Sequence, residues 1–316
     1  MDNVAEVLRK PILPALAILI LVLLAASPSY APGYIVVLLT DIFMYSIMAV
    51  SWAMFSGPTG YISLATAAFF GVGVYALALL GFILPLPAVI LIGGLVSCCL
   101  ALLVGALTLR LKGIYFAIFT FGLIELIMNL LLWWEVNRSG TVGRLAVPVD
   151  YNTVYYVMLG ILTTLLLTAY LIRRSRFGLA LRSIGDCEEA AAHIGINVTA
   201  LKTTIFAISA FFLGASGAIM ATRWTYIDPR IAFNPQYSFM PVLMAMFGGM
   251  EQLYGPILGA AVFTYLEELL ITKFPYYYML LFGIILVVVL LFLPNGLVGL
   301  IQKWRKGGSI RQRANT

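Results

Sequence analysis

The sequence predicts an all-α, polytopic membrane protein of about ten transmembrane helices in two inverted five-helix halves, with a short helix projecting from them into water. Three observations predict it: the composition, the spacing of the apolar runs and the placement of the basic residues. Of 316 residues, 62% are apolar and 10% charged, and the mean hydropathy is +1.03. A soluble core cannot hide that much apolar surface. The whole chain, 1–316, reads as one membrane domain.

Apolar runs fall at about 12–26, 35–55, 62–84, 88–109, 114–134, 154–172, 201–222, 237–249, 253–272 and 276–293, and most reach the roughly 20 residues that a span needs. Arg9 and Lys10 before the first run give it the look of a signal peptide. No small-x-small cleavage site ends it at Ser27-Pro28-Ser29, and further spans follow, so it is expected to stay as an uncleaved first helix. The third run is rich in Gly, Ser and Thr and the eighth is short.

With the N-terminus inside, the cytoplasmic connections hold fourteen of the nineteen basic residues: Arg9, Lys10, Arg110, Lys112, Arg173, Arg174, Arg176, Arg182, Lys202 and the tail Lys303, Arg305, Lys306, Arg311 and Arg313. Arg138, Arg144, Arg223, Arg230 and Lys273 remain outside. This is the bias of the positive-inside rule and puts both termini, with the basic tail 302–316, in the cytoplasm. If 237–249 only dipped into the bilayer, the tail would end outside, so that run is counted as crossing, partly unwound at Gly248-Gly249. Five spans on each side of the outer loop 135–151 give halves of opposite orientation. Stretches 60–80 and 253–270 echo each other, each opening on a Gly-containing turn and running into small-residue helix.

Residues 176–197, RFGLALRSIGDCEEAAAHIGIN, are the longest run of water-soluble helix chemistry. Asp186 as N-cap and Glu189 three residues later have capping-box spacing, and Gly195 supplies a stop. Between them Cys187, Ala190, Ala191 and Ile194 form one small apolar stripe on a helix of about two turns, roughly 12 Å long. Such a face suits another protein's groove; a plain solvated connector fits the same residues.

The chain carries no phosphate-binding loop, no H-E-x-x-H and no Cys/His cluster, so neither catalysis nor a bound cofactor or metal is expected. Its three cysteines, Cys98 and Cys99 among them, offer no disulfide framework. Polar groups inside spans are the remaining candidates. Glu125 lies deep in its run with Thr120 and Asn129, and Ser63 and Thr66 lie in the third run, making these five the candidate lining of a substrate path. Asp41, Glu267 and Glu268 read as headgroup-level or helix-pairing residues, and Trp133-Trp134 and Tyr276-Tyr277-Tyr278 as interface anchors.

Four motifs in order resemble the permease subunits of branched-chain amino-acid ABC importers, most nearly the LivM type, over nearly the whole chain. They are Gly60-Tyr61-Ile62-Ser63-Leu64 with Ala67-Ala68-Phe69-Phe70-Gly71 and Tyr75; the stretch 109–118 with Thr120; Gly178, Leu181-Arg182, Ile184, Glu188-Glu189-Ala190-Ala191 and Gly195-Ile196-Asn197; and Tyr226, Pro229 and Phe233 followed by Gly248-Gly249, Leu253-Tyr254-Gly255-Pro256 and Leu258-Gly259-Ala260. The third is similar to the EAA loop through which importer permeases dock on ATPases. The resemblance implies ATPase coupling by Gly178, Arg182, Cys187, Glu188, Glu189, Ala190, Ala191, Ile194 and Gly195. It also implies two ATPase subunits that hold ATP and Mg, a sister permease of LivH type and an extracytoplasmic binding protein for leucine, isoleucine or valine. That binding protein would meet 135–151 and 223–233. The setting is the inner membrane of a prokaryote, among lipid, with no nucleic-acid partner. Ala65-Thr66, Gly185-Asp186-Cys187 and Glu251 depart from the family pattern, which leaves urea, short amides and other amino acids open as substrates. An ion-gradient carrier is the alternative of another class, and a purely structural membrane subunit a third.

Overall fold

The computed structural model describes residues 19–109, 111, 113–250, 252–278, 280–285 and 296. The start of the first apolar run, the end of the tenth, the basic tail, Arg9, Lys10, Arg110, Lys112 and Glu251 lie outside the described residues.

Among the described residues, six helices are long and apolar enough to cross a membrane: α2 (Gly33–Thr59), α4 (Leu86–Thr108), α5 (Ile114–Ser139), α6 (Tyr151–Arg174), α9 (Val198–Met220) and α12 (Gly255–Lys273). Helix α1 (Leu19–Tyr30) and α3 (Thr66–Leu80) are apolar but shorter, and α11 (Gln236–Gly248) has 13 residues. Two water-soluble helices, α7 (Arg176–Asp186) and α8 (Glu188–His193), sit at one end of the bundle, and α10 (Pro229–Ala232) is a single turn. At the other end β1 (Arg144–Leu145) and β2 (Tyr226–Ile227) pair antiparallel, Arg144 opposite Ile227.

The centre is α2, α3, α4 and α9, with Ile47, Met48, Phe70 and Ser216 fully buried. Glycine sets the spacing, because lipid gives helices no hydrophobic reason to associate and close backbone approach must do it. A Cβ at Gly73 would lie 1.9 Å from the Gly214 carbonyl oxygen, so α3 and α9 touch backbone to backbone. Gly73→Val is therefore expected to abolish recovery of monodisperse, detergent-stable protein. Gly160→Ala, at a position with nothing within 4 Å, is expected to leave recovery unchanged; size-exclusion chromatography reads both.

The third and eighth apolar runs do not form full-length helices. α3 is preceded by the irregular connector 60–65, which begins where Gly60, at φ 71°, ends α2. α11 is preceded by the irregular stretch 224–235, which contains β2 and α10. At 15 and 13 residues, α3 and α11 extend about 22 and 20 Å, short of the ~30 Å hydrocarbon core. They meet at their N-termini: the Ser238 hydroxyl donates to the Leu64 carbonyl (2.6 Å) and accepts from the Ala67 amide (2.9 Å). α3 runs from there to the β-ribbon end, where Gly81 lies against Val147, and α11 to the α7–α8 end, where Met250 accepts from Arg173.

Irregular backbone at membrane depth needs partners inside the protein. The connector has them. The Trp52 indole donates to the Ser63 carbonyl (2.7 Å), the Thr120 hydroxyl accepts from the Leu64 amide (3.0 Å), and the Ser63 hydroxyl accepts from the Ala65 amide (3.3 Å).

Candidate functional site

The site is assembled at the α7–α8 end from helices that the sequence folds back on themselves. Ser175, extended at φ −83°, ψ 170°, breaks α6 from α7. A Cβ at Gly178 would stand 2.4 Å from the Ile172 carbonyl oxygen, so the return of α7 toward α6 requires glycine there. Gly178, Leu181 and Ile184 make the buried face of α7. At its far end Gly185 rests on the last turn of α2, where a Cβ would be 2.1 Å from the Pro58 carbonyl oxygen. Gly185→Val is expected to lift α7 from this seat and expose 185–195 to limited proteolysis, while the spans remain inserted.

The helix boundary differs from the expected one. Asp186 is the last residue of α7, and Cys187, extended at φ −158°, ψ 105°, is the N-cap of α8 without a side-chain cap hydrogen bond. The capping-box reading of Asp186 and Glu189 fails because α7 runs on through Asp186 and leaves it no extended backbone from which to cap. Gly195, at φ 89°, does end the segment, and Asn197 caps α9 by accepting from the Ala200 amide (3.1 Å).

On α8, Cys187, Ala190 and Ile194 are exposed, Ile194 by 73%. Ala191 is 1% exposed and lies against the chain itself, so it is not part of the outward stripe that its spacing suggested. Arg182 and Glu189 are exposed.

Glu188 points inward. Its Oε1 lies 2.9 Å from Nζ of Lys202, one turn into α9 and 0% exposed, and its Oε2 accepts from the Tyr61 hydroxyl at 2.7 Å. The Lys202 ammonium also donates to the Tyr61 hydroxyl oxygen (3.1 Å) and to the Leu109 carbonyl (3.3 Å), and stands 4.2 Å from the Tyr61 ring centroid. One buried cation thus ties α8, α9, the end of α4 and the connector that leads into α3. Charge-assisted hydrogen bonds of this kind are about twice as strong as neutral ones. Beside this clamp lie two cavities of about 620 and 390 Å3, the first lined by Pro58, Arg173, Arg182, Asp186 and Met250, the second by Tyr61, Gly113, Cys187, Glu188 and Glu189.

The candidate path residues do not come together. Ser63, Thr66 and Thr120 are buried, and Ser63 and Thr120 serve the backbone of the connector. Glu125 and Asn129 stand on the exposed face of α5. At the ribbon end, Glu135 lies within α5, not in a loop, and binds Arg144 (3.3 Å) and the Gly143 amide (2.8 Å). Arg223 pairs with Asp41. Of the four arginines in the stretches 135–151 and 223–233, Arg144 and Arg223 are therefore engaged by the chain, whereas Arg138 and Arg230 are exposed.

Sequence reading missed Lys202, Tyr61, Ser238 and Gly185. Lys202 carries a trace of a signal: it is a lysine inside an apolar helix, 14 positions after Glu188. No group of His, Cys, Asp and Glu among the described residues is placed to hold a metal ion. The arrangement ties a water-exposed helix to the connector that leads into α3.

Residues 34–290 match the profile of a family described as branched-chain amino acid transport system / permease component. The chain belongs to that family. The permease is similar to the high-affinity branched-chain amino acid transport system permease protein LivM of Salmonella typhimurium, at 28% identity over 88% of this chain and 73% of the relative. It is more thinly similar to the L-arabinose ABC transporter permease protein AraH of Azospirillum brasilense, at 24% identity over 48% of this chain and 44% of the relative. Similarity to the autoinducer 2 import system permease protein LsrC of Yersinia pestis is 24% over 55% of this chain and 54% of the relative. No solved structure matches the permease.

Proposed function

We propose that the permease is a LivM-type subunit of a binding-protein-dependent ABC importer for leucine, isoleucine and valine, and that α8 couples it to partner ATPases. The observation that carries this reading is the Lys202 clamp. α8 offers Ala190 and Ile194 to a partner on its outer side, and on its inner side Glu188 is bound to the connector before α3. Closure of two ATPases around ATP and Mg would push α8 and, through Tyr61, move the connector and α3, a rigid-body route to alternating access. In this reading the α7–α8 end and both termini are cytoplasmic. The chain completes about ten spans in the inner membrane of a prokaryote, in two inverted five-helix halves. A LivH-type sister permease and an extracytoplasmic binding protein complete the assembly. A branched-chain substrate is favoured over a sugar because the LivM likeness extends over 88% of the chain and the AraH likeness over 48%.

The test is co-purification from native membranes, followed by uptake in proteoliposomes with each candidate binding protein. ATPases and a sister permease should accompany the wild type, and Ile194→Asp should lose the ATPases while keeping the sister. Recovery of the wild type without ATPases would sink the importer assignment in favour of an ion-driven carrier.

A further inference from the structure

We infer that the outward face of α5 around Glu125 abuts the sister permease, and that the Glu125 carboxylate supplies the counter-charge for the ammonium group of an amino acid passing between the two chains. This rests on the importer reading above. Glu125 is the twelfth of the 26 residues of α5, about 16 Å from the start of the helix and more than that from its end. It therefore lies near the middle of the bilayer, too deep for a short carboxylate side chain to reach water at either interface. Its side chain is exposed, and among the described residues the Asn129 amide lies 3.5 Å from it.

α5 is the least enclosed of the six long helices. Ile118, Gly122, Glu125, Asn129 and Trp133 fall at three- and four-residue steps along its exposed side, and Gly122 has nothing within 4 Å of a built Cβ. A carboxylate and an amide one turn apart do not face hydrocarbon at that depth, since ionisable groups there face a protein interior or a watered cavity. Gly122 beside them leaves room for close approach of a second helix.

The bundle's own centre is filled where α3 and α11 meet, with Ala65, Ala67, Phe70 and Ser238 fully buried. A polar passage at mid-depth therefore lies on a face of the chain, and the α5 face carries the groups for it. The occupant is a sister and not a second copy. Two copies related by a two-fold axis would set two Glu125 carboxylates against each other in a low-dielectric site, where like charges repel strongly. A non-identical partner escapes that repulsion. A zwitterionic amino acid then meets a carboxylate at the depth where its ammonium is most costly to desolvate.

The experiment places a photo-crosslinking phenylalanine analogue at Leu126, 60% exposed beside Glu125, and separately at Leu103, 67% exposed on α4, in the full assembly in native membranes. An adduct with the sister chain from Leu126, and lipid adducts alone from Leu103, are expected. In parallel, Glu125→Gln should lower uptake of zwitterionic amino acid by about tenfold or more, with crosslinking from Leu126 and ATPase co-purification unchanged. Lipid adducts alone at Leu126, or an adduct with a second copy of this chain, would overturn the interface. Undiminished uptake by Glu125→Gln would overturn the counter-charge role. If the sister adduct forms but no ATPase co-purifies, the importer reading falls and the interface stands.

Discussion

Glu188→Gln is expected to abolish uptake and to destabilise the assembly more than Lys202→Met does, although the two changes remove partners of the same ion pair. The asymmetry follows from burial. The Lys202 side chain is 1% exposed and the Glu188 side chain 27%. Neutralising Glu188 leaves a wholly buried ammonium held, among the described residues, by the Leu109 carbonyl, the Tyr61 hydroxyl oxygen and a weaker amide oxygen. Removing one partner of a buried pair costs about 3–5 kcal/mol, and the lower end applies here because Glu188 is already part-hydrated. Lys202→Met keeps a side chain of similar length in the core and leaves Glu188 with the Tyr61 hydroxyl and access to water, so about 1 kcal/mol is expected. The double variant should resemble Lys202→Met, since it no longer buries a charge. Thermal unfolding midpoints of the purified assembly test the order; equal losses for the two single variants would show that burial does not govern the pair. A clamp that transmits motion also predicts that an assembly carrying Lys202→Met hydrolyses ATP in its partner subunits without accumulating substrate. A merely structural pair would lose hydrolysis and uptake together.

The α7–α8 end was half legible in the sequence. The soluble composition of 176–197 located it and Gly195 marked its stop, because both are local properties. What failed depended on neighbours. Ala191 has the spacing of a docking stripe, yet the same face is needed to seat α8 on the chain, and sequence alone cannot say which side of a short helix is already occupied. Asp186 has the right chemistry for a cap, but Gly185 permits contact with Pro58 and α7 continues through Asp186.

The spans show the same division. Runs of about 20 apolar residues marked the long helices, and the Gly, Ser and Thr content of 62–84 marked something different about the third. Hydropathy registers that a segment is buried but not whether it is helical, so the connector 60–65 and the shortened α3 read as one span. The candidate path residues suffered from the same limit. Ser63 and Thr120 are hydroxyls at membrane depth because broken backbone needs donors and acceptors, a use that sequence reading cannot separate from contact with a solute.

Ser238→Ala provides the sharpest test of that interrupted architecture. The Ser238 hydroxyl donates to one connector carbonyl and accepts from the first-turn amide Ala67 of α3, so its loss leaves one buried and one part-buried backbone group without this partner. Each such group costs about 1–3 kcal/mol, and water does not reach a position that is 0% exposed. A loss of about 2–5 kcal/mol is expected. Ser209→Ala on α9 is the matched control. Its hydroxyl is also buried but donates only to the Phe206 carbonyl three residues earlier, within a helix that already bonds its own backbone, and a change of about 1 kcal/mol or less is expected. If both variants unfold at the same temperature, the junction of α3 and α11 is held by apolar contacts such as Phe70 on Tyr237, whose ring centroids are 5.0 Å apart, and not by the hydroxyl. If Ser238→Ala alone falls, the two short helices depend on a single side chain where their positive ends meet, and that point of contact is where a push on the Tyr61 connector would be felt by α11.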